Sequence, residues 1–258
     1  MITTHLKGGL GNQMFQIAAA YSLALDNNDE CSFFMDNPNI NQGHGSRYYT
    51  TNVFRNLKEL PDNMVERSDY EQIRYMEPRF NFDPIPYRER MVLQGFFQSE
   101  KYFANHKEEI VELFGNKAVR KYEFNDCVSL HIRRGDYLDP YTAQFLPVLP
   151  MDYYTRALSD LDSKARIDCI LVFSDDIAWC KGNLKDPRLV FAERQEDWED
   201  LYTMSKCEHH IIANSSFSWW GAYLNTNVNK IVYAPEKWFG PAVTDDWKDV
   251  YCKNWIIL

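Results

Sequence analysis

The sequence has no run approaching the ~20 apolar residues of a membrane span. Its first residues, MITTHLKGGLG, lack the basic start and apolar core of a secretory leader. Both absences point to a cytoplasmic protein. Basic residues are in the minority, 28 Lys and Arg against 37 Asp and Glu, so no broad positive field is present to condense onto a polyanion. That balance disfavours nucleic-acid or membrane-surface binding and requires any anion site to be local. The six cysteines (Cys31, Cys127, Cys169, Cys180, Cys207, Cys252) form no CxxC pair and no dense framework, which reads as free thiols rather than zinc ligands or disulfides. At 258 residues the chain can bury about 70–75% of its unfolded surface and needs no such staples.

What is present is an alternation of short apolar runs and helical periods. MITTHLK reads as a strand, Gly8-Gly9-Leu10-Gly11 as a tight turn, and residues 12–25 as a helix closed by Asn27-Asn28. CSFFM (31–35) reads as a second strand. Residues 36–90 carry little periodicity. SEKYFANHKEEIVELFG reads as a helix with Ser99 as N-cap and Gly115 as its stop. A charged stretch then places a domain boundary at about 124. Beyond it CVSLHI, DCILVF, RLVFA, HHIIA and KIVYA alternate with helical segments near 151–162, 176–184, 196–207 and 216–226, the pattern of a parallel sheet covered by helices. Ligands of such sheets bind beyond the carboxyl ends of the strands.

Four segments at such ends carry unusual residues. Gly8-Gly9-Leu10-Gly11-Asn12-Gln13 exposes backbone N–H groups where a phosphate or sugar can approach closely, or is a plain turn with Asn12 as helix cap. It fails as a dinucleotide fingerprint, because Met14 replaces the third glycine, and no GK[ST] element makes it a P-loop. His131-Ile132-Arg133-Arg134-Gly135-Asp136 places two guanidinium forks at a strand mouth, suited to a diphosphate and to charge on a leaving phosphate. Asp136 can orient an arginine or hold the turn. Ser174-Asp175-Asp176 offers carboxylates to a guanine edge, to ribose hydroxyls, to the next helix as a cap, or to a divalent metal. Asn214-Ser215-Ser216-Phe217-Ser218-Trp219-Trp220 opens a helix with hydroxyls and free N–H groups for an anion, with Ser216 or Ser218 as a plain N-cap the alternative.

Taken in order, GGLGNQMFQIAAAYSLA, VSLHIRRGDY, VFSDDIAWCK and IIANSSFSWWGAYLN resemble the motif set of glycosyltransferase family 11, the α-1,2-fucosyltransferases, in their soluble microbial or viral form. The resemblance runs from residue 6 to the PEKW segment and is weakest over 36–90. It implies an α/β, GT-B-like fold of two Rossmann-like lobes with a cleft between them: 1–124 for the acceptor and 125–258 for GDP-fucose. It also implies metal-independent, inverting transfer of L-fucose to the 2-hydroxyl of a terminal galactose or similar sugar on a glycan. Carried over by position, Arg133 binds the diphosphate and is the residue on which turnover most depends. His131 contacts the nucleoside or ribose, and Arg134 and Asp136 build the site. Ser215, Ser216 and Phe217 hold the phosphates, with Ser218 in the same donor-facing set, and Asp175 or Asp176 recognises guanine or ribose. Gly11 and Asn12 face the donor, Asn12 near the reacting sugar. No motif names a base for the acceptor hydroxyl. A sugar-nucleotide-binding module without catalysis, and a metal-dependent phosphate hydrolase built on Asp175 and Asp176, are the competing classes.

Overall fold

The structure, a computed structural model, describes residues 1–35, 43–60, 73–115, 124–193 and 195–258. The chain divides into two units, Met1–Asn116 with Asp245–Cys252, and Lys117–Thr244 with Lys253–Leu258. The boundary therefore lies ahead of residue 124, and a C-terminal segment returns to the first unit. Charge and backbone pairing account for that return: Lys101 binds Asp249 at 2.5 Å, and the Phe82 N–H donates to the same carboxylate at 3.0 Å.

The first unit holds β1 (Ile2–Thr4), α1 (Leu10–Asp26), β2 (Ile73–Met76), β3 (Met91–Gln94) and α2 (Lys107–Phe114). Its described strands form a parallel sheet in the order β1-β3-β2. Helix α1 is buried along most of its length, including Met14, Phe15, Ile17 and Ala18, and each large apolar side chain so enclosed contributes about 1.5–3 kcal/mol. It starts ahead of the expected position, with Gly9 as N-cap and no capping side chain, so Asn12 lies inside the first turn rather than capping it. Gln16 bonds both the N–H and the C=O of Lys7, which fixes the turn between β1 and α1.

Two expectations for this unit are corrected. The segment 31–35 makes only isolated bridges, Ile2 to Cys31 and Phe33 to Glu59, instead of a strand. The helix expected from Ser99 is broken into two 3₁₀ turns, Glu100–Tyr102 and Ala104–His106, before α2, because Phe103 takes φ −144° between them to stay buried. Ser99 does cap the first of these turns and Gly115 does end α2. The weakly patterned stretch contains β2, while β3 follows it; residues 36–42 and 61–72 lie outside the described residues.

The second unit follows the expected alternation closely: β4 (Phe124–Ile132), α3 (Met151–Lys164), β5 (Cys169–Ser174), α4 (Ile177–Asn183), β6 (Leu189–Phe191), α5 (Asp197–Met204), β7 (Cys207–Ile211), α6 (Ser216–Tyr223), β8 (Val232–Ala234) and β9 (Ile256–Ile257). All neighbours pair in parallel, in the order β6-β5-β4-β7-β8-β9. Alternate residues feed the two faces. Val128, Leu130, Ile132, Ile170 and Val172 pack under Tyr153, Tyr154 and Leu161 of α3, while Cys127, Leu171, Phe173 and Cys207 pack with Met204 of α5. All six cysteines are free thiols.

Numbered within the unit, the strand order is 3-2-1-4-5-6, that of a doubly wound dinucleotide-type sheet. The order reverses between β4 and β7. Ligands of such sheets bind outside the carboxyl ends of the strands at that reversal, which places the site before any side chain is considered.

Candidate functional site

Strand β4 ends at Ile132 and releases Arg133 and Arg134; β7 ends at Ile211 and leads through Asn214 into α6. These are the two loops that flank the reversal. They touch: the Tyr137 hydroxyl donates to the Asn214 carbonyl at 3.1 Å, and the His131 and Phe217 rings lie 5.8 Å apart. Strand β5, on the other side of β4, brings Ser174, Asp175 and Asp176 to the same edge.

The Arg133 guanidinium is held on three sides. Nη2 donates to Asp136 Oδ1 at 2.6 Å, Nη1 lies 2.9 Å from Asp175 Oδ2, and the carbon of the fork lies 5.4 Å from the centre of the Tyr137 ring. Asp136 thus orients this arginine. The carboxylate of Asp175 approaches closely because residue 135 is glycine: a Cβ there would sit 2.5 Å from Asp175 Oδ2. Arg134 is separately fixed, with Nε on Asp176 at 3.2 Å, its guanidinium 3.8 Å from the Trp179 ring centre, and its N–H on Asp175. Two adjacent cations are therefore preorganised at one strand mouth, which is what stabilising charge on a leaving group requires.

Both members of the acidic pair are engaged within the second unit. Asp175 is engaged with Arg133 and the Arg134 backbone, and Asp176 binds Arg134 while capping α4 through the Trp179 N–H at 3.0 Å. Among the described residues no group of three or more His, Cys, Asp or Glu side chains is placed to hold a metal ion.

His131 is buried beside the arginines. Burial, aided by the Arg133 charge, pushes its imidazole down to about 3, so the ring is neutral at any working pH. Its Nδ1 is enclosed without a hydrogen-bond partner among the described residues, as is Oδ1 of Asn214, whose amide donates to the Pro147 and Trp238 carbonyls. Orphaned buried polar atoms carry a cost, and here two of them line the reversal.

At the start of α6, Ser215, Ser216 and Phe217 are partly exposed, and the first turn of the helix offers backbone N–H groups. Ser218 is different. It is buried, and its hydroxyl accepts from the Ala213 N–H and donates to the Ser215 carbonyl, which sets it inside the turn. Gly11 and Asn12 belong to the first unit, where Asn12 Oδ1 accepts from Gln98 Nε2 at 2.7 Å.

One residue escaped the sequence reading. Asp200, on α5 after the end of β6, has a buried Oδ1 with no hydrogen-bond partner among the described residues, and burial together with Asp197 and Glu199 raises its carboxyl to about 7. The signal was available: Asp200 and the buried Met204 are four residues apart on one helix, so the carboxylate shares the inward face. It was hidden in a run of acids that reads as a solvated helix start.

A family model of glycosyl transferase family 11 matches residues 1–258. The chain is 32% identical to the O-antigen biosynthesis glycosyltransferase WbnK of Escherichia coli, over 91% of this chain and 93% of that protein. It is 31% identical to an alpha-1,2-colitosyltransferase of Escherichia coli, over 93% and 92%. A galactoside 2-alpha-L-fucosyltransferase, SEC1 of Bos taurus, is 26% identical over 87% of this chain and 64% of that protein.

Proposed function

Because the chain belongs to glycosyl transferase family 11, we propose that it moves L-fucose from GDP-fucose to the 2-hydroxyl of a terminal galactose or similar sugar, with inversion at the anomeric carbon. The observation that carries this reading is the seat of Arg133: a braced guanidinium fork on one side of the sheet's reversal, with the open turn of Ser215, Ser216 and Phe217 on the other. A diphosphate fits between a fork and a helix N-terminus.

In the reaction, the acceptor oxygen attacks C1 of fucose from the face opposite GDP as the bond from C1 to the β-phosphate oxygen breaks. The electron pair of that bond leaves with GDP. Arg133 neutralises the charge that appears on the phosphate, Asp136 and Asp175 keep its fork in place, and Arg134 adds a second fixed cation. The neutral His131 ring faces the nucleoside as a donor or acceptor without charge. Asp175 and Asp176 serve the donor through the arginines, and we assign the guanine edge, which offers two N–H donors, to Asp200, whose buried Oδ1 has no hydrogen-bond partner among the described residues. When breaking of the C1–O bond runs ahead of attack, the sugar becomes oxocarbenium-like and the acceptor proton, made acidic as the new bond forms, passes to water without a strong base. Asn12 stands with the reacting sugar, and the first unit takes the acceptor.

A second donor sugar is supported by one relative, named as a colitosyltransferase at 31% identity. The test is a panel of sugar nucleotides, including GDP-fucose and GDP-colitose, against glycan acceptors with linkage analysis of each product. An α-1,2-linked fucosyl product supports the proposal. Release of GDP that never depends on acceptor, or binding with no product from any pair, contradicts it.

A further inference from the structure

At the carboxyl end of the first unit's sheet, Asn12 lies against the continuations of β1 and β3. β1 continues into Lys7 and Gly8, β2 into Glu77, and β3 into Phe96, Phe97 and Gln98. Glu77 prolongs the pairing of β2 with β3, its N–H donating to the Gln94 carbonyl at 2.8 Å. Its carboxylate then accepts two successive backbone N–H groups, Phe96 at 2.6 Å and Phe97 at 3.0 Å. These bonds close a turn in which the buried Phe97 takes φ 52°. A non-glycine side chain pays about 1–2 kcal/mol to enter that region, so the carboxylate holds the backbone where it would not settle alone.

The consequence of the turn is the position of Gln98. This side chain is buried, and it donates Nε2 to Asn12 Oδ1 at 2.7 Å, across 86 residues of sequence. Asn12 is confined on another side by Gly8, at φ 77°, where a Cβ would lie 2.6 Å from Asn12 Nδ2. With Oδ1 accepting from Gln98, the rotation of the Asn12 amide is defined, and so is the direction in which its NH2 group donates. A buried amide spent on another side chain, supported by a strained turn, is more than the packing of this sheet edge requires.

We propose that Gln98 is a positioning residue for transfer, fixing the donor face of the Asn12 amide, and that Glu77 sets Gln98 through the Phe96–Phe97 turn. The inference rests on the reading that Asn12 stands with the reacting sugar. It adds how that amide is aimed and which residues aim it.

The test is a double-mutant cycle on the full chain, Asn12→Ala, Gln98→Leu and both together, read as kcat and KM for donor and acceptor alongside GDP affinity and the thermal midpoint. Gln98→Leu lowers kcat about tenfold, close to 1.4 kcal/mol, with GDP affinity unchanged. The double variant is no slower than Asn12→Ala. Gln98→Glu keeps the shape and loses the donor, and gives the same loss should the leucine variant fold poorly; Glu77→Gln gives a smaller loss that also vanishes in the Asn12→Ala background. Multiplying effects, or a normal kcat in Gln98→Glu beside an impaired Asn12→Ala, overturn the positioning role and leave the reading of Asn12 intact. A normal kcat in Asn12→Ala overturns both.

Discussion

Arg133 and Asp175 meet across neighbouring strands at 2.9 Å, the cation from the end of β4 and the carboxylate from the end of β5. The pair remains partly open to solvent, which screens it, so its Coulomb energy adds little to stability. Its use is directional. A guanidinium braced by Asp175 and Asp136 keeps its remaining N–H groups aimed at one place, and little reorganisation remains to be made when charge appears there.

Asp175→Asn therefore separates orientation from charge. The amide loosens Arg133, which lowers kcat about tenfold or more, while removal of a negative charge beside the phosphate offsets the lost brace in binding. Steady-state kinetics with calorimetric GDP titration check this, with GDP affinity expected within about threefold of the parent.

The raised carboxyl of Asp200 predicts a pH dependence of donor binding. Its folded value of about 7 lies above the ordinary carboxylate range, so the empty site holds a proton below neutrality that guanine recognition must expel. GDP affinity then falls by up to about tenfold per pH unit as pH drops below about 7, and is flat above it. His131, neutral down to about 3, adds nothing in that window. Asp200→Asn removes the slope and weakens GDP at pH 8. A slope that survives in this variant takes the base contact away from Asp200.

Gly8→Ala combines backbone strain with a steric conflict against Asn12. We expect a loss of about 1–3 kcal/mol in denaturant unfolding, and a fall in kcat larger than the fraction unfolded explains, because Asn12 must move.

A chelator is expected to leave transfer unchanged, since the cations at the site are arginines. Rates measured with and without excess EDTA check it, and loss of activity restored by a divalent metal speaks for the phosphate-hydrolase type of site.

The second unit was legible because its strands are buried on both faces and read as continuous β-branched runs, with helices between them at the right spacing. The strand ends were legible for the same reason, so Arg133, Asp136 and the Ser215 turn fell where the alternation put them. What the sequence hid is tertiary. Residues 31–35 pair only through isolated bridges, although CSFFM has strand composition. β2 is largely exposed, with Ile73 and Met76 in solvent, so no alternation of buried and exposed residues marks it, although its pairing with β3 leads Glu77 to the turn before Gln98. The return of 245–252 to the first unit depends on Asp249 meeting Lys101 and Phe82, which no local pattern announces. Asp175 and Asp176 were visible as acids, but their capture by the arginines is a matter of strand register.

The central claim is that Arg133 stabilises the departing nucleotide at the reversal of the second sheet. The direct measurement is kcat for Arg133→Ala and Arg133→Lys at saturating donor, with the fold followed by circular dichroism. The account predicts a loss of about 10²–10³ or more for alanine and poor recovery by lysine, whose single ammonium cannot reproduce the fork, in proteins that unfold near the parental temperature. Turnover by folded Arg133→Ala within a few-fold of the parent contradicts it.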